Sequence, residues 1–167
     1  VTGPERVCIV GANGAGKTTL LRRIASELLP RRDIRAAYMP QDFGERLDTR
    51  RSAVELLNVS GSRAEETRIR SVLGSLRYTS REMEHPCSEL SGGQRAKLLL
   101  ASMAIEGADV LILDEPTRNL SPLSSPVVRE LLRSFRGAII SVSHDRRYIA
   151  EVCTAVYELG PGGLSRI

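Results

Sequence analysis

Apolar residues run through this chain in two rhythms, and the change of rhythm divides it. Near the start, Arg6-Val7-Cys8-Ile9-Val10 is a short apolar run closed by Gly11, the pattern of a strand buried on both faces. Leu20, Leu21, Ile24 and Leu28 then recur at helical spacing, predicting a helix over 17–29 that Pro30 stops. The run 34–39, ended by Pro40, predicts a second strand. Strand, helix, strand is the opening of a parallel, doubly wound sheet.

From about residue 43 to residue 105 the apolar positions fall every three or four residues among dense charges. Helices are expected over 51–59 and 64–76, a loop over 80–88 around Pro86, and a helix over 95–105 stopped by Gly107. Sheet patterns return with the run 108–114, stopped by Pro116, and the run 137–143. A helix is expected over 127–135, a short one over 147–153, and a last strand over 155–159 before Gly160-Pro161-Gly162-Gly163. The expected organisation is one α/β domain over 1–167, with a core sheet from 1–42 and 108–167 and a helical subdomain at 43–107. No internal repeat or low-complexity segment interrupts it.

Composition changes this picture little. The 41% hydrophobic and 26% charged residues are an ordinary globular balance. No apolar run approaches the roughly 20 residues that cross a bilayer. The first residues, Val1 to Arg6, lack the charged-then-apolar pattern of a secretory leader. Cys8, Cys87 and Cys153 are far apart and form no Cys-x-x-Cys pair; Cys8 and Cys153 sit among apolar residues and read as buried thiols, which fits a reducing cytoplasm. The net charge is +4, and Lys17 and Lys97 are the only lysines. The arginine excess suits a genome-wide bias as well as an RNA-facing surface, and an absence of Trp with 4% aromatics leaves base stacking poorly supported.

The chemistry lies where strands meet helices. Gly11-Ala12-Asn13-Gly14-Ala15-Gly16-Lys17-Thr18 follows a strand and opens a helix. Small residues let its backbone wrap a phosphate chain, and the N–H groups and helix dipole then face the oxygens. Gly11, Asn13, Gly14, Ala15, Gly16, Lys17, Thr18 and Thr19 are the candidate phosphate contacts. Lys17 offers a compact charge on a flexible stem, where the planar fork of arginine prefers a different geometry. Thr18 offers a hydroxyl to Mg²⁺. The strand 110–114 carries Asp114 to its C-terminal edge, where open α/β sheets bind ligands. Asp114 is a candidate Mg²⁺ group, and Glu115 a candidate base for the attacking water. A glycine turn or a strand ending in acids occurs by chance; the two together, in this context, rarely do.

Ser91 and Gln94 have the spacing of a capping box at the start of the next helix. A helix cap explains those two residues but not Gly92 and Gly93, which cost helix stability and leave a helix start bare for an anion.

The Gly11–Thr18 loop, Gln41, Leu90-Ser91-Gly92-Gly93-Gln94, Asp114-Glu115 and His144 occur in the order seen in the ATP-binding-cassette (ABC) family, which the chain resembles over nearly its whole length. The resemblance implies a P-loop NTPase fold of the RecA-like type with a helical signature subdomain, ATP and Mg²⁺ as ligands, and ATP hydrolysis. It implies that Gln41 contacts Mg²⁺ or the lytic water, and that His144 contacts the γ-phosphate. It also implies a head-to-tail pair, in which Ser91, Gly92, Gly93 and Gln94 serve the nucleotide held by a facing cassette. His85 has no such support and reads as a loop residue.

Ser143-His144-Asp145-Arg146 and Asp114-Glu115-Pro116-Thr117-Arg118-Asn119-Leu120 are similar to the Ser-His-Asp-Arg and Asp-Glu-Pro-Thr-Asn-x-Leu segments of ABC-F proteins, the non-transporter branch with two cassettes in one chain. That branch implies action on the ribosome, in translation or antibiotic resistance. The alternative is the ATP-binding subunit of a membrane transporter, and a third reading, a regulatory cassette that only binds, is disfavoured by Glu115. Two departures stand out. Ser121 occupies the place of the family's Asp, and the family's adenine-stacking aromatic falls upstream of Val1. The expectation is a last cassette lacking its N-terminal strands, with weak base affinity and poor hydrolysis in isolation.

Overall fold

Five short segments of continuous apolar character lie side by side because each is covered on both faces. The structure is a computed structural model that describes residues 1, 3–41, 50–118 and 120–167. The strands are β1 (Arg6–Val10), β2 (Ala36–Met39), β3 (Val110–Asp114), β4 (Ala138–Val142), β5 (Ala155–Gly160) and β6 (Gly163–Arg166), in the sheet order β2-β3-β4-β1-β5-β6. All neighbours run parallel except β5 and β6, which pair antiparallel across the Gly160–Gly163 turn.

The helices are α1 (Lys17–Leu28), α2 (Ala53–Leu57), α3 (Arg63–Ser75), α4 (Ser80–Glu84), α5 (Gly92–Ile105), α6 (Ser124–Ser134) and α7 (Arg146–Val152). Strand alternation sends side chains to two different layers. Ile112, Ile140 and Ile9 pack with Leu21 and Ala25 of α1 on one face. Leu111, Leu113, Ile139 and Cys8 pack with α5, α6 and α7 through Leu99, Leu100, Val128, Leu132 and Tyr148 on the other. A third core, built from Val54, Leu57, Ile69, Leu73, Met83 and Cys87, joins α2, α3 and α4 to Leu98 and Ala101 of α5. One face of α5 therefore belongs to the sheet and the other to the helical cluster, so the described part of the helical subdomain, 50–107, is fixed to the sheet through this helix.

Several expectations are corrected. The segment 80–88 is not a loop: it holds α4 and a single 3-10 turn, Cys87–Glu89. Thr79 and Glu82 cap α4 reciprocally, and Met83 is buried in the helical core. The expected helix over 51–59 shortens to α2, which Ser52 and Glu55 cap in the same way. The helix expected at 127 starts at Ser124, where Ser121 accepts the N–H groups of Ser124 and Ser125 on its carbonyl oxygen, each at 3.0 Å. β6 is an added antiparallel strand. Cys8 and Cys87 are buried and Cys153 is half-buried; all three are free thiols. Among the described residues no helix is long and apolar enough to cross a membrane.

Candidate functional site

Adjacent β1, β4 and β3 end at one edge of the sheet, and the loops leaving them converge. The turn after β1 must pass close to β5. A Cβ at Gly11 would lie 2.6 Å from the Leu159 carbonyl oxygen, and Gly11 has φ +146°, so only glycine fits. Gly14 and Gly16 also have positive φ, and Gly16 caps α1 without any side-chain hydrogen bond. The first N–H groups of a twelve-residue helix thus have no side-chain acceptor, which makes them available to an anion. Lys17 is 8% exposed. Its Nζ donates to the carbonyl oxygens of Gly11 and Ala12, both at 2.8 Å. An ammonium has three donors, so the loop's own carbonyls orient the group and leave one N–H for a ligand.

Asp114, at the end of β3, is 1% exposed. Its Oδ1 accepts from the Thr18 hydroxyl at 3.4 Å, and its Oδ2 has no hydrogen-bond partner among the described residues. Burial pushes the carboxyl above the usual range, and the Thr18 hydroxyl with the charges of Arg22, Lys17 and Arg118 pulls it partly back. A buried carboxylate with an orphaned oxygen next to a hydroxyl fits Mg²⁺, which takes one or two protein oxygens and completes its shell with water and phosphate. Among the described residues no group of three His, Cys, Asp or Glu side chains gathers into an all-protein cage.

Glu115 sits at φ +53°, left-handed backbone that non-glycine residues rarely adopt. Its N–H donates to the Val142 carbonyl at 2.9 Å, which holds the strained residue against the end of β4. Its carboxylate meets the next loop: Oε2 accepts the His144 backbone N–H at 3.3 Å, and Oε1 lies 3.7 Å from His144 Nε2. A cavity of about 610 Å³ gathers Asn13, Gly14, Gly16, Lys17, Thr18, Thr19, Gln41, Asp114, Glu115 and His144, together with Arg118 and Val142. Gly11 shapes the turn behind it. Ala15 N–H donates to the Ala12 carbonyl at 3.2 Å and tightens the loop.

Ser91, Gly92, Gly93 and Gln94 do not line this cavity. Ser91 Oγ accepts the Gln94 N–H at 3.3 Å, and Gln94 Oε1 accepts the Ser91 N–H at 2.7 Å. Gln94 Nε2 also donates to Glu82, and the Tyr78 hydroxyl donates to the Gln94 carbonyl. The Gln94 amide is therefore committed to bracing the helix start. Gly93 is buried because a Cβ there would press on Ser124 and Leu120 at 3.2 and 3.5 Å; Gly92 is open to solvent.

A family model described as "ABC transporter" matches residues 2–118. The chain belongs to this family. The relatives of this ABC domain include human ATP-binding cassette sub-family F member 3, 37% identical over 170 residues, 98% of this chain and 24% of that protein. ABC transporter F family member 2 of Arabidopsis thaliana is 30% identical over 168 residues, 96% of this chain and 25% of that protein. The domain thus spans about a quarter of the length of these relatives. In fold it matches a dimeric post-hydrolysis state of the ATP-binding cassette MJ0796 bound to ADP and Pi, with a TM-score of 0.76 at 21% identity, over 97% of this chain and 84% of that one. It is a six-stranded P-loop NTPase fold flanked by helices.

Arg118 is a charged cavity residue of this ABC domain that the sequence analysis does not single out, and Val142 is an apolar one. The available signal for Arg118 is its position: it stands where the Asp-Glu-Pro-Thr-Asn-x-Leu pattern has asparagine. Asp114 yields a prediction about stability. Asp114→Asn removes a buried charge that protein groups only half satisfy, so the nucleotide-free domain is expected to gain about 0.5–2 kcal/mol at neutral pH, or about 2–4 °C in Tm per kcal/mol. The same variant is expected to lose Mg²⁺-dependent nucleotide binding. Thermal unfolding at pH 7 with EDTA, beside titration with ATP with and without Mg²⁺, reads both. An unchanged or lowered Tm contradicts the first expectation.

Proposed function

We propose that this domain binds and hydrolyses ATP as one half of a two-cassette clamp of the ABC-F kind. The observation that carries the proposal is the convergence, in one cavity, of the Lys17 ammonium, the free start of α1, the half-satisfied Asp114 and the strained Glu115. Gly14, Gly16, Lys17 and Thr19 hold the phosphate chain. Thr18, Gln41 and Asp114 would hold Mg²⁺, which neutralises charge on the outer phosphate oxygens. Glu115 takes a proton from a water whose oxygen bonds to the γ-phosphorus, and the bond from that phosphorus to the β,γ-bridging oxygen breaks, giving ADP and phosphate. His144, beside Glu115, orients the γ-phosphate.

Ser91 and the glycines after it lie outside the cavity, which supports a site completed by a facing domain. Likeness to sub-family F proteins favours a ribosomal partner over a membrane subunit. The test varies concentration. ATPase activity per chain is expected to climb as the domain is concentrated, because pairing supplies the facing signature, and the full-length protein is expected to sediment with ribosomes in the presence of ATP. Activity per chain that stays constant on dilution to nanomolar levels contradicts the shared site. Recovery of the full-length protein in the membrane fraction contradicts the ribosomal role.

A further inference from the structure

Among the described residues, two side chains of permanent positive charge line the cavity, Lys17 and Arg118. The Lys17 ammonium is used by two carbonyls. The Arg118 guanidinium is exposed, lines the same cavity as Lys17, Asp114 and Glu115, and makes no hydrogen bond or ion pair among the described residues.

Its backbone is not free. The Arg118 N–H donates to the Glu115 carbonyl at 3.0 Å, in a turn started by the left-handed Glu115 and fixed by Pro116. The residue is therefore tied at one turn's distance from Glu115. The side chain shares the cavity wall with Lys17, Thr18, Asp114 and Glu115.

Charge balance supplies the argument. Asp114 and Glu115 bring two carboxylates to a partly desolvated pocket. A triphosphate remains anionic after Mg²⁺ binds, and Lys17 offers one compensating charge. The terminal phosphate carries the highest charge of the phosphate chain, and one ammonium already shared between two carbonyls leaves much of it uncompensated. A planar guanidinium with donors to spare suits two oxygens of one phosphate group.

We propose that Arg118 donates to the terminal phosphate of the bound nucleotide from within the same chain, and so discriminates ATP from ADP. This rests on the ATP-site reading above. Having lost the terminal phosphate, ADP lacks the group that Arg118 holds. The residue therefore biases the site toward the triphosphate and releases its contact when hydrolysis is complete.

The test is calorimetric titration of the chain with Mg²⁺ and either ATP or ADP, in a Glu115→Gln background that prevents turnover. Arg118→Ala and Arg118→Gln are expected to weaken ATP binding about tenfold or more while leaving ADP within about threefold, and Arg118→Lys to restore part of the loss. Because the side chain is exposed, circular dichroism and Tm of both variants are expected to match the parent, and agreement between the two guards against a folding artefact in either. Equal weakening of ATP and ADP overturns the proposal, as does unchanged ATP affinity. ATP affinity that Lys17→Ala leaves intact sinks the site assignment itself. ATP affinity that depends on Lys17 but not on Arg118 sinks only the role of Arg118.

Discussion

Lys17→Ala is expected to abolish measurable ATP binding. The ammonium sits at the centre of the loop's architecture, 8% exposed and donating to the carbonyls of Gly11 and Ala12 at 2.8 Å. Truncation removes the charge that faces the phosphates and leaves two loop carbonyls without their donor. Losing one partner of a desolvated charge contact costs about 2–5 kcal/mol, roughly thirtyfold to several thousandfold in affinity. Lys17→Arg is expected to fail as well, because a planar fork cannot thread between those carbonyls as a compact tip does. The arginine variant separates charge from shape: recovered binding by arginine shows that charge alone suffices. Titration with MgATP at increasing protein concentration reads the effect, and an affinity within threefold of the parent removes Lys17 from the site.

What made this site legible is that its chemistry constrains backbone as well as side chains. Gly11 is required by the Leu159 carbonyl lying where a Cβ would go, and Asp114 by the end of a buried strand. Such positions leave a spaced pattern in the sequence. The buried parallel strands were legible for a related reason. Residues of β3 alternate between two packed layers, so both faces must be apolar and the run is unbroken.

Where those constraints relax, the pattern fades. All four residues of β6 are exposed, so no hydrophobic rhythm marks it, and the sequence reading ends the strands at 155–159. In the segment 80–88, Pro86 and the charges suggested a loop, yet the Thr79-x-x-Glu82 box spells a helix start; the one buried residue of α4, Met83, was too little periodicity to reveal it. The edge strand β2 begins two residues late because the Arg35 N–H is taken by the Asp109 carboxylate at 2.8 Å instead of by a ladder. Arg118 was hidden by composition: in a chain whose cations are nearly all arginine, one more exposed arginine carries no signal until the fold brings it to the cavity.

Glu115→Gln is expected to stop turnover while preserving ATP binding. The backbone that presents this residue is held at φ +53° by the N–H bond to Val142 at 2.9 Å, and a glutamine inherits that geometry. Its amide oxygen can still accept the His144 N–H that Oε2 accepts at 3.3 Å. What it loses is the ability to take a proton from water, and removal of a general base lowers rates by about 10²–10⁴-fold. ATP affinity is expected to stay within about threefold of the parent, since no donor to the phosphates is removed. The uncoupling has a structural consequence. If ATP draws two cassettes together and hydrolysis releases them, the variant accumulates the paired state. Gel filtration of the full-length protein with MgATP then gives a compact, closed species with Glu115→Gln and an open one with the parent after turnover, and neither closes with ADP. Phosphate release at the parental rate eliminates Glu115 as the base. Loss of ATP binding in this variant instead assigns the carboxylate to holding Mg²⁺.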